Sequence, residues 1–192
     1  MVSPGPKHRA AAIALVLTLS LSGLAGAQTI AVPSIGIDNF ARVNDTYFRG
    51  AQPMGDNYAA LAKMGVKTII NLTSDDAVAD EQSLTEKNGM RYVNIPMDTR
   101  RNPTAKELEQ FLSIVNDPAN QPVYVHCVGG RHRTGVMTAV YRMTHDGITG
   151  KAAFQEMKQY KYGPDFLHPE FKKFVQNYEV KKPAAVAVAT QQ

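Results

Sequence analysis

One stretch in the second half of the chain constrains the fold most tightly. Residues 123–135 read Val-Tyr-Val-His-Cys-Val-Gly-Gly-Arg-His-Arg-Thr-Gly. The stretch opens with β-formers, passes through two adjacent glycines and continues into a helix-compatible segment from Val136 to Met143. This order predicts a strand, a tight loop and the N-terminus of a helix.

The residue types in that loop indicate an anion site that contains a nucleophile. Successive backbone N–H groups and a helix N-terminus attract an anion, and Gly129 and Gly130 let it approach closely. Arg133 can donate two hydrogen bonds to a tetrahedral oxyanion. Cys127 is the only cysteine of the chain, and cations and a helix N-terminus beside it favour the thiolate. The pattern therefore predicts a thiolate at the floor of a bowl that fits a phosphate group.

The run from His126 to Gly135 resembles the signature of the cysteine-based protein tyrosine and dual-specificity phosphatases, His-Cys-x-x-Gly-x-x-Arg-Ser/Thr-Gly. Its second half, from Gly130, resembles the loops of the small atypical dual-specificity phosphatases of plants and fungi. The alternative is a chance Cys-x5-Arg spacing in a structural loop. The resemblance implies a phosphatase-type α/β fold over residues 40–180, with a central four- to five-stranded, mainly parallel sheet flanked by helices.

The resemblance also implies roles for the loop residues. Cys127 would attack the phosphorus atom and form a phosphocysteine, and Thr134 would hydrogen-bond Cys127 and help the thiolate to leave. His126 would orient the loop by bonding backbone carbonyls. The phosphate oxygens would be bound by Val128, Gly129, Gly130, Arg131, His132 and Arg133. No metal or other cofactor is required by this chemistry.

The leaving oxygen needs a proton, so a general acid is expected. In the family that the signature resembles, the acid is an aspartate on a separate loop about thirty residues before the cysteine. Asp98 lies 29 residues before Cys127, between a predicted strand and a predicted helix. The alternatives are that Asp98 makes only a local turn and that the acid comes from elsewhere. Asp117 is a weaker candidate, because its turn should lie at the opposite end of the sheet.

The substrate is less constrained than the reaction. Arg131 and His132 are expected at the rim of the bowl, where Arg100 and Arg101 could complete a basic collar. A collar would favour an inositol phosphate or phosphoinositide, whereas ordinary surface charge would leave a phosphorylated protein as the leading substrate. A third hypothesis is a phosphate-binding module without catalysis, which the intact Cys127, Arg133 and Thr134 argue against.

Composition excludes several other classes. The 192 residues suit one domain, and a net charge of +4 is too small to argue for nucleic-acid binding. A single cysteine excludes an intramolecular disulfide framework, and the five histidines show no zinc-type spacing. The sequence leaves the oligomeric state open.

The N-terminus resembles a secretory signal peptide. Basic residues 7–9 precede an apolar run over 10–21, and Ala25-Gly26-Ala27 provides a cleavage site. We expect a signal peptide over 1–27 and export to the periplasm or the medium, with no stable membrane span after cleavage. An uncleaved anchor or a packed N-terminal helix are the alternatives. A linker over 28–38, a catalytic domain over 39–181 and a disordered tail over 182–192 complete the predicted organisation.

Hydrophobic periodicity predicts strands that alternate with helices, which favours an α/β fold. Thr104 and Glu107 form a capping box at the start of one helix, and Asp56 or Asn57 caps another. Two short strands are predicted within 40–49, and two longer ones at 66–72 and 90–95, besides the one that begins at 123. Helices are predicted at 57–64, 75–88, 104–116, 135–145, 151–160 and 169–180.

Overall fold

The computed structural model describes Met1, residues 35–74 and residues 77–180. The predicted signal peptide, most of the linker and the predicted tail lie outside these residues. The strands are β1 (Ala41–Asn44), β2 (Tyr47–Gly50), β3 (Thr68–Asn71), β4 (Arg91–Asn94) and β5 (Val123–His126). The helices are α1 (Asn57–Lys63), α2 (Glu81–Lys87), α3 (Ala105–Val115), α4 (His132–His145), α5 (Gly150–Gln159) and α6 (Pro169–Gln176), with short 3₁₀ turns at Pro118–Asn120 and Asp165–Leu167.

The strands form a five-stranded sheet in the order β1-β2-β5-β3-β4. β1 and β2 pair as an antiparallel hairpin, whereas the pairs β2–β5, β5–β3 and β3–β4 are parallel. The predicted four- to five-stranded, mainly parallel sheet is therefore confirmed. β5, which leads into the cysteine, lies in the centre of the sheet.

Both faces of the sheet are covered, and side chains alternate between them along each strand. Ile69 of β3 and Tyr124 of β5 belong to the apolar cluster that includes α1. Ile70 and Val125 belong to the cluster on the other face, which includes α3 and α4. Helices α5 and α6 pack against the outer side of α4. Helix α4 therefore lies between the sheet and a further helical layer, which explains why it is buried along most of its length.

Several predicted boundaries are wrong. Helix α2 begins at Glu81 rather than at 75, α6 ends at Gln176 rather than at 180, and α4 begins at His132 rather than at 135. The N-cap position of α1 is Asp56, but its side chain makes no capping hydrogen bond. Helix α2 starts later than predicted because of a tertiary contact. Its first residue, Glu81, is fully buried and faces the end of β5.

The four mutually parallel strands end at one edge of the sheet, where open α/β folds place their ligands. β5 leads there into Cys127, β4 into the segment that contains Asp98, and β2 into Ala51. The end of the predicted linker joins this edge, because the Asp38 carbonyl accepts a hydrogen bond from Ala51 N at 2.8 Å. Across the described residues, no helix has the length and apolar character that a membrane crossing requires.

Candidate active site

A cleft of about 320 Å³ opens at the carboxyl end of β5. Cys127 and Arg133 are each only 4% exposed, so the thiol and the guanidinium are deep in the protein while the cleft above them is open. The cleft is lined by Thr99, Cys127, Val128, Gly129, Arg131, His132 and Arg133. The structure thus brings together most of the predicted phosphate-binding residues in one bowl.

The four carbonyl groups of residues 128–131 in the loop have partners outside the bowl. The carbonyl of Val128 accepts from the backbone N–H of Gln52 at 3.1 Å, and that of Arg131 accepts from Gly135 at 3.0 Å. The Gly129 carbonyl accepts from Asn39 Nδ2 at 2.7 Å, and the Gly130 carbonyl accepts from Arg49 Nη2 at 2.5 Å.

The first turn of α4 supplies N–H donors at the same place. The helical hydrogen-bond ladder starts with Gly135 donating to Arg131, so the N–H groups of His132, Arg133 and Thr134 precede it. Groups of this kind, together with the helix dipole, favour an anion at the helix N-terminus. The earlier start of α4 therefore strengthens the predicted anion site.

We refer to residues 127–131, between β5 and α4, as the catalytic loop. Arg133, just after it, contacts the segment that follows β4. Its Nη1 donates to the Met97 carbonyl at 3.3 Å. This contact holds the guanidinium at the edge of the bowl, where it can donate to oxyanion oxygens.

Sequence reasoning missed Arg49 as a site residue. It lies on β2, is only 1% exposed, and its guanidinium carbon lies 3.8 Å from the centre of the Tyr160 ring. Burial lowers the pKa of Arg49, whereas the electrostatic fields of Tyr160, Tyr47, Cys127 and Tyr124 raise it. The available sequence signal was an arginine within a predicted strand; the structure shows that all four residues of this strand are buried, so the guanidinium needs a polar partner.

Among the described residues, neither ring nitrogen of His126 makes the predicted hydrogen bond to a backbone carbonyl. Its Nε2 lies 2.7 Å from Oε1 of Glu81, and both side chains are fully buried. The other carboxylate oxygen of Glu81 accepts from Asn71 Nδ2 at 2.6 Å. The partner is a carboxylate because α2 begins at the end of β5, an arrangement that local sequence cannot reveal.

Thr134 does not hydrogen-bond Cys127. Its hydroxyl is fully buried and has no hydrogen-bond partner among the described residues. The physical reason is the early start of α4, which places Thr134 inside the first helical turn instead of in the loop. A buried hydroxyl without a partner costs about 1–3 kcal/mol.

Asp98 lies beside the bowl and does not line it. Thr99 is the residue of this segment that lines the bowl. Asp98 lines an adjoining polar cleft of about 190 Å³ together with Ser74, Thr99 and Arg100. Its Oδ1 accepts from the backbone N–H of Arg100 at 2.7 Å. Asp117 caps the 3₁₀ turn that precedes β5, which is the opposite end of the strand from Cys127.

The predicted basic collar is smaller than expected. Arg101 donates two hydrogen bonds to the carboxylate of Glu107, which holds the pKa of that carboxyl below its ordinary value. His132 lines the bowl but is half-buried, with Nε2 2.9 Å from the Tyr162 carbonyl, and burial lowers its pKa. Arg131 and Arg100 are exposed, so they are the members of the collar that can meet a substrate.

Among the residues that the structure describes, no group of three or more His, Cys, Asp or Glu side chains is close enough to hold a metal ion. The chemistry that this site offers is a nucleophilic thiol beneath a set of oxyanion donors.

The fold and the site together define a cysteine-based phosphatase, in which a thiol lies below an anion-binding loop at the start of a buried helix. A family model described as "DSP-PTPase phosphatase fused to NAD+ Kinase" matches residues 33–176. The chain therefore belongs to this family of dual-specificity phosphatase domains.

Individual relatives agree with that assignment. The rice protein "Inositol diphosphatase DSP2" is 29% identical over 140 residues, which cover 71% of this chain and 67% of the relative. "Dual specificity protein phosphatase TpbA" of Pseudomonas aeruginosa is 29% identical over 161 residues, covering 84% of this chain and 67% of TpbA. A crystal structure of a TpbA serine variant in complex with pTyr superposes with a TM-score of 0.62 at 25% identity, over 72% of this chain and 83% of that chain.

Proposed function

We propose that this protein hydrolyses phosphate monoesters through a phosphocysteine intermediate, with phosphotyrosine proteins as its main substrates. The observation that carries this proposal is the position of Cys127. Its thiol lies at the floor of a bowl that backbone N–H groups and Arg133 surround, while the loop carbonyls bond donors elsewhere.

The chemistry takes two steps. The Cys127 thiolate attacks phosphorus, so that a P–S bond forms as the P–O bond to the leaving group breaks and the leaving oxygen takes a proton. Water then attacks the phosphocysteine and passes a proton to the group that protonated the leaving oxygen, so that a P–O bond forms and the P–S bond breaks to release phosphate and the thiolate. Arg133 and the loop N–H groups hold the non-bridging oxygens in both transition states.

We infer that Asp98 is the acid, although it lies in the adjoining cleft. Its segment is tied to the bowl through the bond between Arg133 and the Met97 carbonyl, and Thr99 is shared by both clefts. Catalytic hydrogen bonds often tighten only when substrate is bound. In an Asp98→Asn variant, the alkaline limb of the pH–rate profile should disappear while Thr99→Ala keeps it. An unchanged profile in Asp98→Asn would remove Asp98 from the mechanism.

An inositol phosphate or phosphoinositide is the second candidate substrate. Arg131 lines the bowl and Arg100 lines the polar cleft next to it, so a second phosphate could be bound beside the reacting one. The relatives support both candidates, since one is named an inositol diphosphatase and the other is a dual-specificity protein phosphatase whose structure contains pTyr.

A substrate panel separates the two candidates. Initial rates on phosphotyrosyl and phosphoseryl peptides are compared with rates on inositol phosphates, in a chelating buffer. The proposal expects the highest kcat/KM on phosphotyrosyl peptides, with little change in an Arg100→Gln/Arg131→Gln variant. Preference for inositol phosphates, lost in that variant but kept in Arg101→Gln, would establish the second candidate instead.

We also propose that the protein is exported and that residues 1–27 are removed. The basic residues before a short apolar run and the Ala-Gly-Ala site support this. N-terminal sequencing of the full chain expressed in a bacterium with a periplasm should give a mature form that starts at Gln28. Cytoplasmic protein with an intact Met1 would overturn the proposal.

A further inference from the structure

Two side chains outside the phosphatase signature donate hydrogen bonds to the catalytic loop. Asn39 and Arg49 precede Cys127 by many residues in sequence, but each donates to a carbonyl of the loop. Asn39 Nδ2 lies 2.7 Å from the Gly129 carbonyl oxygen, and Arg49 Nη2 lies 2.5 Å from that of Gly130. These two peptide groups are the middle of the loop.

Peptide orientation matters because each peptide group carries a dipole. A carbonyl that pointed into the bowl would place negative charge against a phosphate oxygen, whereas the N–H end attracts it. The neighbouring carbonyls of Val128 and Arg131 are bound by backbone N–H groups of Gln52 and Gly135. The Gly129 and Gly130 carbonyls, in contrast, bond to side chains, and glycine peptides rotate more freely than others.

Arg49 also places a positive charge behind the loop. Its side chain is 1% exposed, and no carboxylate among the described residues lies within ion-pairing distance of it. Its guanidinium donates to the Gly130 carbonyl, and its guanidinium carbon lies 3.8 Å from the centre of the Tyr160 ring. A buried cation is costly unless negative charge or polar groups surround it, so an anion in the bowl would complete its environment.

Asn39 is held in a conformation that suits this contact. Its backbone φ is 54°, a left-handed value that Asn adopts more readily than most residues. The neighbouring Asp38 carbonyl bonds to Ala51 N at 2.8 Å, which fixes the segment against the end of β2. The donor is therefore presented to the loop by an ordered backbone.

We propose that Arg49 and Asn39 are positioning residues of the phosphate site, which hold the Gly130 and Gly129 carbonyls away from the bowl so that the loop N–H groups face the substrate. This inference rests on the proposed function, because it requires that the bowl binds phosphate.

The test measures binding of inorganic phosphate and tungstate as competitive inhibitors of para-nitrophenyl phosphate hydrolysis. In Arg49→Met, the inhibition constants should rise at least about tenfold, since one charge-assisted hydrogen bond and one buried charge are lost. Arg49→Lys keeps the charge without the planar fork and should lie between wild type and Arg49→Met. Asn39→Gly keeps the left-handed backbone but removes the side-chain amide. It should raise the inhibition constants of both phosphate and tungstate about threefold or more.

The matched control is Arg142→Met. Arg142 lies at the other end of α4 and pairs with Glu156 and Asp146, so its loss should lower the thermal unfolding midpoint without changing the inhibition constants. Circular dichroism of each variant establishes that it is folded.

The outcomes distinguish a failure of the positioning inference from a failure of the proposed function. If the wild type neither hydrolyses the substrate nor binds phosphate, the proposed function fails. If the wild type does both and a folded Arg49→Met has the same inhibition constants, only the positioning role of Arg49 is refuted. If Arg49→Met does not fold, the test rests on Asn39→Gly. Inhibition constants in Asn39→Gly that equal those of the wild type would then overturn the inference.

Discussion

Gly129 and Gly130 differ in how much space surrounds them. A Cβ atom on Gly130, whose φ is +61°, would lie 2.4 Å from backbone atoms of Gly50. The atoms nearest to a Cβ on Gly129 would belong to the side chain of Arg131, at 3.2 Å or more. The loop therefore packs its backbone directly on the end of β2 at Gly130 and leaves room at Gly129.

These surroundings predict opposite results for two matched substitutions. Gly130→Ala should abolish most phosphatase activity, because neither backbone can move without displacing the loop. Gly129→Ala should keep activity within a few-fold of wild type, because the Arg131 side chain is exposed and can shift. Rates on para-nitrophenyl phosphate check both, and comparable activity in the two variants would contradict this packing.

His132 links the catalytic loop to the C-terminal helical layer. Its ring lies 3.9 Å from that of His168, centre to centre, and beside Tyr162. Burial lowers the pKa of His132 from its ordinary value of 6.5. The unfolded chain therefore takes up a proton at this histidine at a higher pH than the folded chain does, so unfolding is favoured as the solution becomes acidic.

The free energy of unfolding should accordingly be highest above pH 6.5 and should fall as the pH decreases from there towards the folded pKa. In His132→Gln, this part of the pH dependence should be smaller. Urea unfolding of both proteins between pH 5 and 8 measures the difference. Parallel curves for wild type and variant would show that His132 does not contribute.

At the scale of elements, helix boundaries that depend on local interactions are predictable from the sequence. The capping box of α3 is present as predicted, with Glu107 N bonded to Thr104 Oγ1 and Thr104 N bonded to Glu107 Oε2. The start of α2 at Glu81 was not predictable, because it depends on a buried contact with His126, 45 residues further along the chain. Arg49 was missed for the same reason, since its partner Gly130 is distant in sequence.

The capping box permits a quantitative test. Thr104→Ala removes a side-chain acceptor for the Glu107 N–H and should lower the free energy of unfolding by about 1 kcal/mol. Ser113→Ala, at an exposed position of the same helix, should change it by less than about 0.5 kcal/mol. Chemical denaturation measures both, and equal effects would mean that the box does not stabilise α3.

At the scale of the whole molecule, one edge of the sheet gathers segments that are far apart in sequence. The alternation of strands and helices predicted this edge, and the signature placed Cys127 and Arg133 on it. Sequence alone did not predict that Thr99 rather than Asp98 lines the bowl, or that Arg101 pairs with Glu107. Those outcomes depend on side-chain rotamers and ion pairs at the rim, which no local pattern encodes.

The central claim is that Cys127 carries the phosphoryl group during turnover. Rapid acid quenching of the protein with para-nitrophenyl phosphate, followed by peptide mass spectrometry, measures it most directly. The account predicts one phosphoryl group on the peptide that contains Cys127, and neither adduct nor turnover in Cys127→Ser. Turnover that persists in Cys127→Ser, or a phosphoryl group on another residue, would contradict the account.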